Sequence, residues 1–153
     1  MPTVETNGAS IYYETHGEGP AVVFAHGAGG NAASWWRQVP YFARRYKVIV
    51  FDHRMFGRSA CALKDFDQSL YAEDLFAILD AEGVERAAVV CQSMGGRTGL
   101  RAALDSPERI PCLVLSNTAG GIDRDSFRTH SIAARREFAG KGFGVVALAR
   151  DFQ

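Results

Sequence analysis

Three short stretches carry residue types that could do chemistry. The first is Cys91-Gln92-Ser93-Met94-Gly95-Gly96. A serine hydroxyl is a weak nucleophile until a base takes its proton. When such a serine sits on a sharp turn from strand to helix, the pattern G-x-S-x-G keeps the residues two places either side small, so that strand and helix can approach. Gly95 meets that demand, and Cys91 stands where the pattern has glycine, with a thiol that is still compact. The plainer alternative is a serine at the N-terminus of a glycine-rich helix. The second stretch is His26-Gly27-Ala28-Gly29-Gly30, directly after an apolar run, and the third is Asp52-His53-Arg54-Met55-Phe56-Gly57-Arg58-Ser59 after another. Asp52 and Arg54 read as loop-fixing residues, because paired charges at strand ends are usually structural.

The elements that must position these stretches follow from the apolar pattern. Asn7-Gly8 before Ser10-Ile11-Tyr12-Tyr13-Glu14 signals an opening antiparallel hairpin. Ala21–Ala25 and Lys47–Phe51 are continuous apolar runs of the kind found in strands covered on both faces, and a helix carrying Trp35, Trp36, Val39 and Phe42 lies between them. Strand, helix, strand implies a right-handed parallel crossover. The next unit repeats the plan. A helix from about Ser69 to Glu82 places Leu75, Ile78 and Leu79 on one face, with Gly83 at the left-handed capping position, and a strand follows at Ala87–Val90. After Ser93 come a helix from about Met94 to Leu104, a stop at Ser106-Pro107 and a strand at Cys112–Leu115. The fold class is therefore α/β, a mostly parallel sheet with flanking helices. Residues 1–119 read as a partial core and 120–153 as the start of a helical lid or cap, with no further strand, so the sheet looks incomplete at its C-terminal side.

Taken together and in order, these features resemble the α/β-hydrolase superfamily from about Ser10 to Gly121: Gly19-Pro20 before the first central strand, His26-Gly27, Trp35-Trp36, the Asp52 to Ser59 loop and the Ser93 turn. Met55 departs from the family loop, which carries glycine there. The resemblance implies that Ser93 is the nucleophile and that the backbone N–H groups of Ala28 and Met94 form an oxyanion hole, with His26, Gly27 and Gly95 supporting the loops. Met94 suits the role because it opens a helix, whose first N–H groups lack internal partners and whose dipole favours negative charge. Loss of one such donor typically costs about 2.7–4 kcal/mol. His26 then braces its loop rather than transferring a proton. The serine argues against the dehalogenase and epoxide-hydrolase branches, which use aspartate at that position.

The family order is nucleophile, then acid, then histidine. After Ser93 the only histidine is His130, which falls where the lid begins rather than after a last strand. His16 and His53 belong to other loops. The position resembling the acid of some members is Asn117, whose amide cannot stabilise an imidazolium as a carboxylate does. Asp123 and Asp125 are nearby carboxylates without an assigned use. The expectation is a serine hydrolase framework for a carboxylic ester, a lactone or an activated carbon–carbon bond, lacking its base and acid within this chain.

Two other readings compete. One is a non-catalytic hydrolase-like module used for binding or assembly. The other is a dinucleotide-binding domain, since Gly27-Ala28-Gly29-Gly30-Asn31-Ala32 satisfies G-x-G-x-x-A after a strand and Asp52 ends the next one. Composition narrows the rest. The 153 residues balance 17 Lys+Arg against 17 Asp+Glu, which removes the basic footprint of a nucleic-acid binder. No stretch has the roughly 18 uncharged apolar residues of a membrane span. Cys61, Cys91 and Cys112 are widely spaced, with no Cys-x-x-Cys pair, and read as reduced, buried thiols of a cytoplasmic protein. No cofactor and no metal are called for. The implied partners are a small ester-like substrate and, because the Cys112–Leu115 strand would expose an apolar edge, a second copy or a missing C-terminal half.

Overall fold

The computed structural model describes residues 2–118 and Gly120. The described residues fall within one compact unit, Met1–Gly121. The lid segment expected beyond Gly120, with Asp123, Asp125 and His130, lies outside the described residues.

The chain opens with β1 (Thr3–Thr6) and β2 (Ala9–His16), joined through Asn7 at φ 43° and Gly8 at φ 74°. Two consecutive left-handed residues match the twist of the strands on either side, which is why Asn-Gly makes the tight hairpin. β2 runs on to pair antiparallel with β4 (Lys47–Phe51), while its first residues pair with the two-residue strand β5 (Ala60–Cys61). A strand as short as β5 has no periodicity to read, and the sequence reasoning missed it. The remaining strands are parallel: β3 (Ala21–Ala25) lies between β4 and β6 (Ala87–Gln92), and β7 (Cys112–Ser116) flanks β6. The path across the sheet is β1-β2-β4-β3-β6-β7.

Alternation along the strands divides the core in two. Val23, Ala25, Ile49, Phe51, Val89 and Cys91 point to one face and pack with Leu75, Ile78 and Leu79 of the helix α2 (Tyr71–Ala81). Val22, Phe24, Val48 and Val50 point to the other, where Trp35, Val39 and Phe42 cover them. Both faces are dressed, so the central strands are apolar throughout.

The single helix expected to carry Trp35 through Phe42 is instead a 3₁₀ turn, Ala32–Trp35, followed by a short α-helix, α1 (Gln38–Phe42). Asn31 and Ser34 cap the 3₁₀ turn reciprocally. Pro40 is the third residue of α1, where a missing N–H breaks no intrahelical bond. α2 begins after a 3₁₀ turn at Gln68–Leu70 and ends on Gly83 at φ 63°. There Val84 N–H donates to Leu79 C=O at 2.8 Å and Gly83 N–H to Asp80 C=O at 3.1 Å, the paired closure of a left-handed cap. The helix α3 (Gly95–Asp105) follows Ser93.

β7 stands at the edge of the described sheet: Val114 is 47% and Leu115 45% exposed, and Cys112 is exposed as well. Among the described residues β7 pairs only with β6. Of the three thiols expected inside, only Cys91 is buried; Cys61 is half-buried.

Candidate active site

Parallel register brings the three chemical stretches together. Ala25 pairs with Cys91 and Phe24 with Val50, so His26-Gly27, Gln92-Ser93 and Asp52 leave the sheet side by side at the carboxyl ends of β3, β6 and β4. That edge is where open α/β sheets place their ligands. A methyl group built on Gly27 would stand 3.1 Å from Ser93 Cβ and would strike the Gln92 amide oxygen. Glycine is what allows the two loops to approach so closely.

Ser93 adopts φ 51°, a left-handed conformation that L-residues other than Gly, Asn and Asp rarely hold. Its N–H donates to Ser116 C=O at 3.0 Å, and its C=O accepts from Gly96 N–H at 3.0 Å. The first bond ties the turn to the end of β7 and the second starts the helical turn. The serine is exposed at the turn. Gly95 packs against the backbone oxygen of Ala25, which occupies the space a Cβ would need. Cys91 fits where the pattern has glycine because Gly99, about one turn into α3, has no Cβ: a side chain there would meet the Cys91 Sγ. Burial pushes the Cys91 thiol up to about 12, so it is an inert packing group.

The opposite wall is the His26–Gly30 loop. Gly30 N–H donates to Gly27 C=O at 3.0 Å and Gly29 takes φ 78°, so the loop is a closed turn with Ala28 exposed at its tip. His26 is buried beneath it. Its Nε2 accepts from the His53 N–H at 3.0 Å and its Nδ1 lies 2.7 Å from Gly27 C=O. An amide can only donate and a carbonyl can only accept, so the ring is neutral with its proton on Nδ1. Burial, opposed by the Gly27 carbonyl, lowers the His26 pKa below the usual histidine range.

His53 is also fully buried, with Nε2 at 2.8 Å from Thr98 Oγ1 and its ring edge-on to His26. Its Nδ1 has no partner among the described residues. A buried lone pair is tolerated better than a buried N–H, which puts the proton on Nε2. Burial holds the His53 pKa well below the usual value, and His26 beside it acts in the same direction. His16 pairs with Glu14 on β2. None of these hydrogen bonds of His16, His26 and His53 is made to Ser93.

Asp52 accepts from Ala32 N–H at 2.6 Å and Arg58 N–H at 2.7 Å, joining two loops through one carboxylate. Both oxygens are committed and the side chain is buried. This takes Asp52 out of a ribose-binding role, and Gly27–Gly30 leads into a four-residue 3₁₀ turn rather than a phosphate-binding helix. Arg54 is buried in a bidentate pair with Asp74 of α2, at 2.8 and 2.6 Å. The partner was invisible in the sequence, where Asp74 looks like a surface residue at a helix start. Met55, in the place of the family glycine, keeps the glycine-like backbone at φ 68° with its side chain 44% exposed. Asn117 takes φ 48° at the end of β7, next to the residue that holds the Ser93 N–H. Among the described residues no cluster of His, Cys, Asp and Glu is arranged to hold a metal ion. No described helix is long and apolar enough to cross a membrane.

Comparison with known proteins agrees with this geometry. The family model for the alpha/beta hydrolase fold matches residues 20–141. The chain is 35% identical over 136 residues to the RutD protein of Azorhizobium caulinodans, whose name assigns it to carbamate hydrolysis, covering 89% of this chain and 51% of that one. It is 32% identical over 122 residues to 3-oxoadipate enol-lactonase 2 of Acinetobacter baylyi, covering 78% and 46%. Among solved structures, Est816, described as an N-acyl homoserine lactone degrading enzyme, superimposes with a TM-score of 0.74 at 34% identity, covering 85% of this chain and 52% of that one. The chain spans about half the length of these relatives. With its matched model, its parallel sheet and its strand-to-helix serine turn, the chain belongs to the alpha/beta hydrolase family.

Proposed function

We propose that this chain carries the nucleophile and the oxyanion hole of a serine hydrolase acting on carboxylic esters, lactones or activated carbon–carbon bonds. In this reading Ser93 Oγ bonds to the substrate carbonyl carbon while its proton passes to a base. The carbonyl oxygen becomes an oxyanion held by the N–H groups of Ala28 and Met94. The leaving group then departs with a proton, and water releases the acyl group and restores Ser93. The observation that carries the reading is the left-handed Ser93 between β6 and α3, facing the Gly27 loop. Supporting it, the relatives are named for carbamate hydrolysis, an enol-lactonase and lactone degradation, all reactions at an acyl carbon.

Among the described residues His16, His26 and His53 are engaged elsewhere and Asn117 carries no charge, so none of these four serves as the base or the acid. Residual acceleration without triad members is about 10³–10⁴ over water, from the oxyanion hole and binding alone. The reading takes the protein as cytoplasmic with its thiols reduced. It takes the exposed β7 edge as the place where a second copy or the remainder of the fold adds a strand. A fluorophosphonate probe tests the core of it: labelling is expected on Ser93 and lost in Ser93→Ala, and labelling that persists unchanged in Ser93→Ala overturns it.

A further inference from the structure

The two proposed oxyanion donors belong to different elements. Ala28 sits on the loop after β3, whereas Met94 opens α3, so something has to fix the distance between them. Hydrogen bonds through two histidines link the loop that carries Ala28 to the helix that Met94 opens. Thr98, one turn beyond Met94 and fully buried, meets His53 Nε2 at 2.8 Å. The His53 N–H donates to His26 Nε2 at 3.0 Å. His26 Nδ1–H donates to Gly27 C=O at 2.7 Å, and that same oxygen accepts Gly30 N–H at 3.0 Å to close the turn bearing Ala28. The rings of His26 and His53 lie edge to face with centroids 4.5 Å apart, and Phe51 and Tyr71 stack against His53 at 4.7 and 4.8 Å. These rings confine the His53 imidazole, and its one side-chain hydrogen bond among the described residues, to Thr98, ties it to α3.

From this geometry we infer that Thr98 and His53 are positioning residues: through His26 they set the spacing between the Ala28 and Met94 N–H groups. The inference rests on the proposed serine hydrolase reading for its catalytic meaning, although the linkage itself can be measured without it. A carbonyl oxygen is stabilised only if both donors reach the place where charge develops, and a misplacement of about 1 Å is worth up to roughly 10² in rate. Thr98 serves this role through its hydroxyl, since the methyl group of valine would fill the same volume.

The test uses the full chain with Thr98→Val and Thr98→Ser. The first keeps the shape and deletes the hydroxyl; the second restores it. Two readouts are taken: the second-order rate of fluorophosphonate labelling at Ser93, and amide hydrogen exchange at Gly30, whose N–H closes the Ala28 turn on Gly27 C=O, with Val89 in the core as the internal reference. Thr98→Val is expected to slow labelling about tenfold, less than the ~10²–10³ expected for outright loss of a donor. It is also expected to speed Gly30 exchange about tenfold relative to Val89, and Thr98→Ser to return both toward wild type. Equal Gly30 exchange, relative to Val89, in wild type and Thr98→Val overturns the inference, as does a Thr98→Ser variant no better than Thr98→Val. Labelling that survives Ser93→Ala defeats the hydrolase reading instead, and the Gly30 exchange still decides the linkage.

Discussion

Single residues here are chosen by backbone conformation as much as by chemistry. Ser93, Met55 and Asn117 all hold positive φ without being glycine, and all three lie on loops at the carboxyl ends of β6, β4 and β7. Strain of this kind survives only where the surroundings over-determine it, which is why it collects at the sheet edge carrying the candidate site. Gly57 shows the opposite solution. It takes φ 52°, and a Cβ there would collide with Asp52 Oδ2. Gly57→Ala therefore has two defects at once: a left-handed alanine, worth about 1–2 kcal/mol, and displacement of the carboxylate that joins Ala32 to Arg58. Urea unfolding is expected to register a loss of at least that size.

At the scale of elements, the contact between β6 and α3 depends on paired small residues. Cys91 on the strand and Gly99 on the helix share one space, which is how a thiol stands where the family pattern has glycine without prising the helix away. Gly99→Ala alone is expected to destabilise the protein, because the new methyl group meets the Cys91 Sγ. Cys91→Gly with Gly99→Ala should recover part of the loss, giving a coupling energy of about 0.5–3 kcal/mol in a double-mutant cycle. Simple additivity would mean that the two residues do not compete for the space. The hairpin, the Asp52 loop and α2 are joined in a comparable way by Arg54, which reaches Asp74 on α2 and the backbone oxygens of Asn7 and Asp65. Removing either partner would leave a buried charge unpaired, a change that typically costs about 3–5 kcal/mol.

At the scale of the whole described unit, two buried neutral histidines make stability depend on pH. Burial lowers the pKa of both His26 and His53 in the folded protein, whereas the unfolded chain titrates them near the ordinary value of 6.5. The unfolded state therefore binds protons first as the pH falls, and their contribution, complete above pH 6.5, is lost progressively below it. Unfolding free energy is expected to decline from pH 7.5 to pH 5, above the range where carboxylates protonate; a flat profile would contradict the neutral assignment. The side of β7 that no described strand pairs gives the other prediction at this scale. Size-exclusion chromatography with light scattering is expected to find dimers or larger species at micromolar concentration, and a stable, cooperatively unfolding monomer would show the edge to be covered.

Apolar runs and turn dipeptides were enough to read the strand and helix order, because burial on both faces leaves continuous hydrophobic stretches and Asn-Gly or a terminal Gly83 has few other uses. The small residues around Ser93 marked the serine turn for the same local reason. What the linear order could not carry was partnership. Nothing in the sequence says that Cys91 faces Gly99, that Asp74 completes Arg54, or that Thr98 holds His53, since each pair is brought together by parallel register and helix packing across 8 to 45 positions of chain. The break between the 3₁₀ turn and α1 was hidden likewise: Trp35, Val39 and Phe42 keep a helical spacing whether or not the helix is continuous. Periodicity reports which side chains are buried, and only the folded sheet decides what each of them meets.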